Sequence, residues 1–209
     1  MVSANFSRHV FINCPFDPQY APLLQAILFC VVYLGFLPRI ASENSDSAQV
    51  RLQKISALIK DSKYSIHDLS RSQAHEAGEY YRLNMPFELG MDYGCREFGN
   101  ARQMGKRLLI LEEKQRAYQA ALSDLAGCDA KYHNADFESA IRQVRNWLVA
   151  NASAPPVGAT RIVGAYTDFQ EWYYEKQLAA GFSEDDIQDY PTSELLAAMT
   201  EWTTLGKPL

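Results

Sequence analysis

The residues able to do chemistry gather at the ends of apolar runs. Asn13, Phe16 and Asp17 follow the run HVFIN, and Asp68, Ser70 and Arg71 close or follow YSIHDL. Glu43 and Asp46 come after FLPRIA, while Asn84 and Glu88 belong to the segment NMPFELG. Each type has a possible task and an ordinary alternative. Asp68 can bond a sugar hydroxyl or cap a turn, and Arg71 can grip a phosphate with two parallel hydrogen bonds or stay solvated. Phe16 can stack on a base or pack in a core. Asp17 and Asn84 are suited to capping helices, with ligand contact as the alternative. Glu88 can act as a fixed carboxylate, or complement a helix dipole for about 0.3–1 kcal/mol.

Other familiar machinery is absent. No G-x-G-x-x-G follows the first apolar run, so a dinucleotide pyrophosphate has no Rossmann cradle. The segment GNARQMGK, Gly99 to Lys106, imitates a phosphate loop, but five residues separate its glycines and Arg107 follows its lysine. There is no G-x-S-x-G elbow and no H-E-x-x-H. The four histidines show no ligand spacing, and His67, inside an apolar run, reads as a hydrogen-bonded core residue. The four cysteines form no C-x-x-C pair and read as reduced core thiols, so no metal is expected.

The elements that must position these residues alternate along the chain. His9–Asn13 reads as a first strand, and Asp17-Pro18 as the start of a helix carrying Leu23, Leu24, Ile27, Leu28, Val31 and Val32 until Gly35. Residues 36–41 form a second strand and 42–47 a loop. Leu52, Ile55, Leu58 and Ile59 mark a second helix, and residues 64–69 a third strand. A helix opens at Asn84-Met85-Pro86 and runs to Phe98, followed by a strand over residues 107–111. Tyr118, Leu122 and Leu125 predict a fourth helix, residues 129–133 a short fifth strand, and Phe137, Ile141, Val144 and Leu148 a final core helix. Strands separated by helices predict an α/β, flavodoxin-like, doubly wound parallel sheet of five strands in the order 2-1-3-4-5. In such a sheet ligands bind beyond the carboxyl ends of the strands where the winding reverses, here between strands one and three. Asn13, Asp68 and Glu88 are therefore expected to converge there.

The chain of 209 residues suits this α/β domain, residues 1–154, plus a helical appendage over 155–209 that begins at Ala154-Pro155-Pro156. The appendage holds Tyr166, Phe169, Trp172, Tyr173 and Tyr174, then a helix with Leu195, Leu196, Met199 and Trp202 on one face. That stripe must be covered, by the chain's own helices or by a second copy. With 12 Tyr and 10 Phe, broad disorder is excluded. A net charge of −5 argues against a nucleic-acid surface, yet leaves room for a nucleotide. The longest apolar run, residues 26–36, is about half of the ~20 residues a membrane span needs. Met1 to His9 lacks a signal-peptide pattern, so the expected location is the cytoplasm.

The succession HDLSR, NMPFELG and KRLLIL resembles the superfamily of TIR-like nucleotide-binding domains and nucleoside 2-deoxyribosyltransferases. There a strand ends in an Asp-rich turn, a helix carries a Glu followed by a small residue, and a Lys precedes the next strand. Phe11-Ile12-Asn13 with Asp17 is also similar to the opening of TIR domains, and the likeness spans roughly residues 8 to 112. It does not extend beyond Pro156. The resemblance implies that Glu88 is the catalytic carboxylate for cleaving a ribose–base bond, with NAD or a related nucleotide as substrate rather than cofactor. It further implies a setting in bacterial defence or signalling and assembly into a homo-oligomer. The chemistry is coherent: a breaking N-glycosidic bond builds positive charge on the anomeric carbon and ring oxygen, which a carboxylate stabilises or attacks. Nicotinamide leaves neutral, so one carboxylate suffices, and a place in the first turn of a helix would keep Glu88 ionised. Base exchange on deoxynucleosides is the second implied activity. A non-catalytic nucleotide-binding or scaffold module is a third reading, fed by Met85, Pro86 and Phe87 standing where TIR hydrolases often carry Trp or Cys.

Overall fold

The structure is a computed structural model describing residues 5–43, 46, 48–71, 83–120, 122–189 and 191–206. Its centre is a parallel sheet of β1 (His9–Asn13), β2 (Leu37–Ile40), β3 (Tyr64–Asp68), β4 (Arg107–Glu112) and β5 (Lys131–Tyr132) in the order 2-1-3-4-5. The expected flavodoxin-like winding is therefore present. Register pairs Asn13 with His67 and Asp68 with Leu111, so the polar strand ends arrive side by side. Side chains alternate across β1: Val10 and Ile12 join one core cluster and Phe11 another.

Seven α-helices among the described residues accompany the sheet. On one face lie α1 (Ala21–Tyr33) and α4 (Phe137–Ala152), and on the other α2 (Arg51–Lys60) and α3 (Asn84–Phe98). The chain then continues into α5 (Ala159–Ala179), α6 (Glu184–Gln188) and α7 (Thr192–Thr204). α1 starts at Ala21 with Pro22 in its first turn, not at Asp17-Pro18. Asp17 instead closes the turn ahead of it, accepting from the N–H of Tyr20 at 3.0 Å through Oδ1. The helix ends at Gly35, whose φ of 86° suits a residue without Cβ.

Residues 26–31 of α1 are buried on every side because α5 and α7 cover what the sheet and α4 leave open. Phe29 meets the rings of Tyr166 and Phe169 at 5.3 Å and that of Trp202 at 5.6 Å. Leu195, Met199 and Trp202 are likewise buried, and Leu196 partly so. The stripe is thus covered from within the chain, and α5, α6 and α7 share one core with β1 and α1. No helix among the described residues is long and apolar enough to cross a membrane.

The expected fourth helix is absent among the described residues. Two single 3-10 turns, Tyr118–Ala120 and Ser123–Leu125, stand in its place. Arg116 adopts φ 64°, which no α-helix accommodates, and the buried Glu112 carboxylate accepts from the N–H groups of Arg116 (2.7 Å) and Tyr118 (3.3 Å). Tyr118 donates its hydroxyl to the carbonyls of Leu125 (3.0 Å) and Cys128 (3.3 Å), so the loop is tied by side chains. β5 is correspondingly shorter than the expected 129–133. Cys14 and Cys30 are buried thiols as expected, but Cys95 is half-buried and Cys128 exposed.

Candidate functional site

The site is built where β1 and β3 end and α3 begins. Asn13, the last residue of β1, donates from Nδ2 to the carbonyl of Met85 at 2.8 Å and lies 2.9 Å from His67 Nδ1. That bond draws the opening turn of α3 over the strand ends. Met85, Glu88, Leu89 and Asp92 form the buried face of α3, spaced three or four residues apart as one helical stripe. Glu88 therefore sits on the same end of the sheet as Asn13, as expected.

Glu88 is only 7 % exposed, and no hydrogen bond reaches its carboxylate from the described residues. It is not in the first turn: Leu83 takes the capping position, and Asn84, the expected cap, is the exposed first residue of the helix. The dipole effect fades within one turn. Burial instead pushes the Glu88 carboxyl up to about 7, with Arg51 at the start of α2 drawing it partly down. The expectation of a dipole-held, fully ionised carboxylate is corrected accordingly. Burial also raises the Cys14 thiol, reinforced by the negative charges of Asp68, Glu88 and Asp17 around it. These four groups surround the end of β1.

Asp68 lies at the same rim but faces inward. Its Oδ2 accepts from the Tyr20 hydroxyl and from His133 Nε2 (2.9 Å), and its Oδ1 from the N–H of Ser70 (2.9 Å) and the Ser70 hydroxyl. Burial alone would raise its carboxyl, but the bonds from His133, Ser70 and Tyr20 bring it below the usual range. With no exposed surface and both oxygens engaged, Asp68 joins the first loop, β3 and β5. Ser70, Asp68 and His133 do not form a nucleophilic triad. His133 Nδ1 accepts from the N–H of Ala135 (3.1 Å), so Nε2 carries the proton and cannot take one from Ser70.

The remaining candidates divide. Arg71 spans the mouth to Asp17 with two contacts of 3.2 Å, and its Nη1 lies 3.8 Å from Glu113. Its hydrogen bonds to the Asp17 carboxylate raise the Arg71 guanidinium above its ordinary value. Phe16, 46 % exposed, instead lines a separate groove of about 770 Å³ with Tyr173 and Tyr174. Glu43 is held by Arg39 at 2.7 Å and by the N–H of Ile40 at 3.1 Å, and lines a groove between β2 and α7. Asp46 accepts from the N–H of Ala48 at 3.0 Å. Sequence reasoning passed over Tyr20 and Asp92, and it gave Lys106 and His133 no contact in the site, because their partners are distant in the chain. Among the described residues no trio of His, Cys, Asp or Glu is grouped to hold a metal ion.

No family model, curated protein or solved structure matches the chain.

Proposed function

We propose that the chain is a TIR-like N-glycoside hydrolase acting on NAD or a related nucleotide, with Glu88 as the catalytic carboxylate. The observation that carries this reading is a buried carboxylate, free of hydrogen bonds from the described residues, at the switch point of a doubly wound sheet. In the proposed step the ribose–nicotinamide bond breaks, nicotinamide leaves with the bonding pair as a neutral molecule, and the ionised Glu88 stabilises the sugar cation. Water then adds to the anomeric carbon and releases a proton, giving ADP-ribose. In this reading Asn13 and Arg71 are the polar groups that meet the substrate, with Asn84 and Ser70 as its outer contacts. Defence or signalling is the setting proposed with this activity. Assembly of copies, proposed with it, would use surfaces other than the covered α7 stripe.

A carboxyl raised to about 7 also favours a second reading. Its protonated form can assist departure of a purine or pyrimidine, as base exchange on deoxynucleosides requires. Chromatography of NAD and deoxynucleosides incubated with purified protein separates the two, with Glu88→Gln as control. Hydrolysis predicts nicotinamide release that rises as pH passes upward through about 7 and vanishes in Glu88→Gln. Turnover that falls over the same pH range would favour the acid role. Full turnover by Glu88→Gln would overturn both readings, and inertness towards every substrate would favour a binding module.

A further inference from the structure

Four polar side chains run in line through the packed layer between the sheet and α3, and three of them have no part in the proposed cleavage. Lys106 Nζ donates to the carbonyls of Ile59 (2.8 Å) and Ser62 at the end of α2, and pairs with Asp92 Oδ1 at 3.1 Å. Asp92 Oδ2 lies 3.1 Å from His67 Nε2, and His67 Nδ1 meets Asn13 as described. Lys106, Asp92 and His67 have no exposed surface. The chemistry fixes every role. The Asn13 amide nitrogen can only donate, so His67 Nδ1 accepts, and Nε2 then carries the proton that bonds the Asp92 carboxylate. Burying an ammonium and a carboxylate is seldom better for stability than an apolar filling of the same shape.

The ends of this chain suggest its task. Asp92 and Met85 are its two attachments to α3, and Glu88 lies between them on the same buried face. Among the described residues no side chain caps α3, and its first turn holds no acidic residue, so Asn13 does the work of tying down its opening. We propose that His67 is the positioning residue of the site: by binding Asn13 through one ring nitrogen and Asp92 through the other, it holds the opening turns of α3 against β1 and fixes the Glu88 carboxyl at the crevice. The assignment deepens the glycohydrolase reading and rests on it only for its consequence in catalysis. Among the described residues the titratable groups around Glu88 are Arg51 from α2, Cys14 just after β1 and, one turn along α3, Asp92.

The test follows the Glu88 carboxyl directly, by its carbon NMR resonance during a pH titration, assigned by its disappearance in Glu88→Gln. His67→Leu removes both bonds. His67→Gln keeps one acceptor and one donor at the same place. Asn13→Ala cuts the chain at its crevice end. The expected result is a midpoint near 7 in the parent protein and in His67→Gln, falling towards the ordinary carboxylate range in His67→Leu and Asn13→Ala as water reaches a loosened turn. A folded His67→Leu or Asn13→Ala protein with the parent midpoint would overturn the proposal. So would a His67→Gln protein that fails to fold, because the assigned role needs only an acceptor and a donor there. If His67→Leu alone fails to fold, Asn13→Ala decides. Expected midpoints in a protein that turns over neither NAD nor deoxynucleosides would sink the enzyme reading and leave the positioning role standing.

Discussion

Replacing Glu88 by Gln keeps the shape of a buried side chain and removes its ability to ionise. In the folded protein burial holds this carboxyl near 7 against an ordinary value of 4.5. The folded state therefore binds a proton more tightly than the unfolded chain, and ionising Glu88 costs stability. That cost is absent below about pH 4.5, grows as pH rises, and is complete above about 7. At about 1.4 kcal/mol per pH unit the ceiling is about 3 kcal/mol, and relaxation of the protein around the charge reduces it to roughly 1–2 kcal/mol. Glu88→Gln should consequently match the parent protein at pH 4 and exceed it at pH 8. This reverses the sign expected from a first-turn carboxylate, whose removal would cost stability through the lost dipole contact. Urea unfolding of both proteins at pH 4, 6 and 8 measures the difference. A variant less stable than its parent at pH 8, or a gap independent of pH, would refute the argument that Glu88 is desolvated and unpaired.

Two further outcomes test the framework around the site. Asp68→Ala leaves the Tyr20 hydroxyl, the His133 Nε2–H and Ser70 without their acceptor, and should cost roughly 2–4 kcal/mol in urea unfolding at pH 7. Because the folded carboxyl lies below its ordinary 3.8, its share of stability is present above that value and is lost as pH falls through the lower one. Trp202→Ala opens a cavity beside Phe29 and Phe169 and should cost about 3–5 kcal/mol, whereas a loss under 1 kcal/mol would mean that α7 is dispensable to the core.

How far the sequence speaks depends on whether a feature is local. Strand ends such as Asn13 and Asp68, and the span Asn84–Phe98 of α3, follow from apolar runs and their punctuation. The strand order follows from right-handed crossovers, since few other windings are open to five such strands. The fourth helix failed because Tyr118, Leu122 and Leu125 have helical spacing, while the decisive contacts come from Glu112 on β4 and the left-handed Arg116. The apolar run in α1 hid a similar limit. Its all-round burial depends on α5 and α7, more than a hundred residues away, and no periodicity within the run shows that. Asp68 reads equally as ligand contact or turn cap, and its wider role shows only when Tyr20 and His133 arrive from either side of it.

The same distance-dependence separates the three buried carboxylates around the site. Asp92 and Glu88 stand one turn apart on one buried face of α3, and burial alone would raise both. Asp92 meets His67 and Lys106, whose bonds and charge bring it below its ordinary value. Among the described residues Glu88 has Arg51 alone as a counter-charge, and it stays high. Asp68, the third carboxylate, is lowered by internal donors and has no lone pair to spare for a ligand. A group kept ionised and fully bonded has little left to offer a reacting bond. One poised near neutrality without partners can be matched to charge that develops elsewhere. That contrast is why the proposed cleavage runs through Glu88 and leaves Asp68 and Asp92 to hold the walls around it.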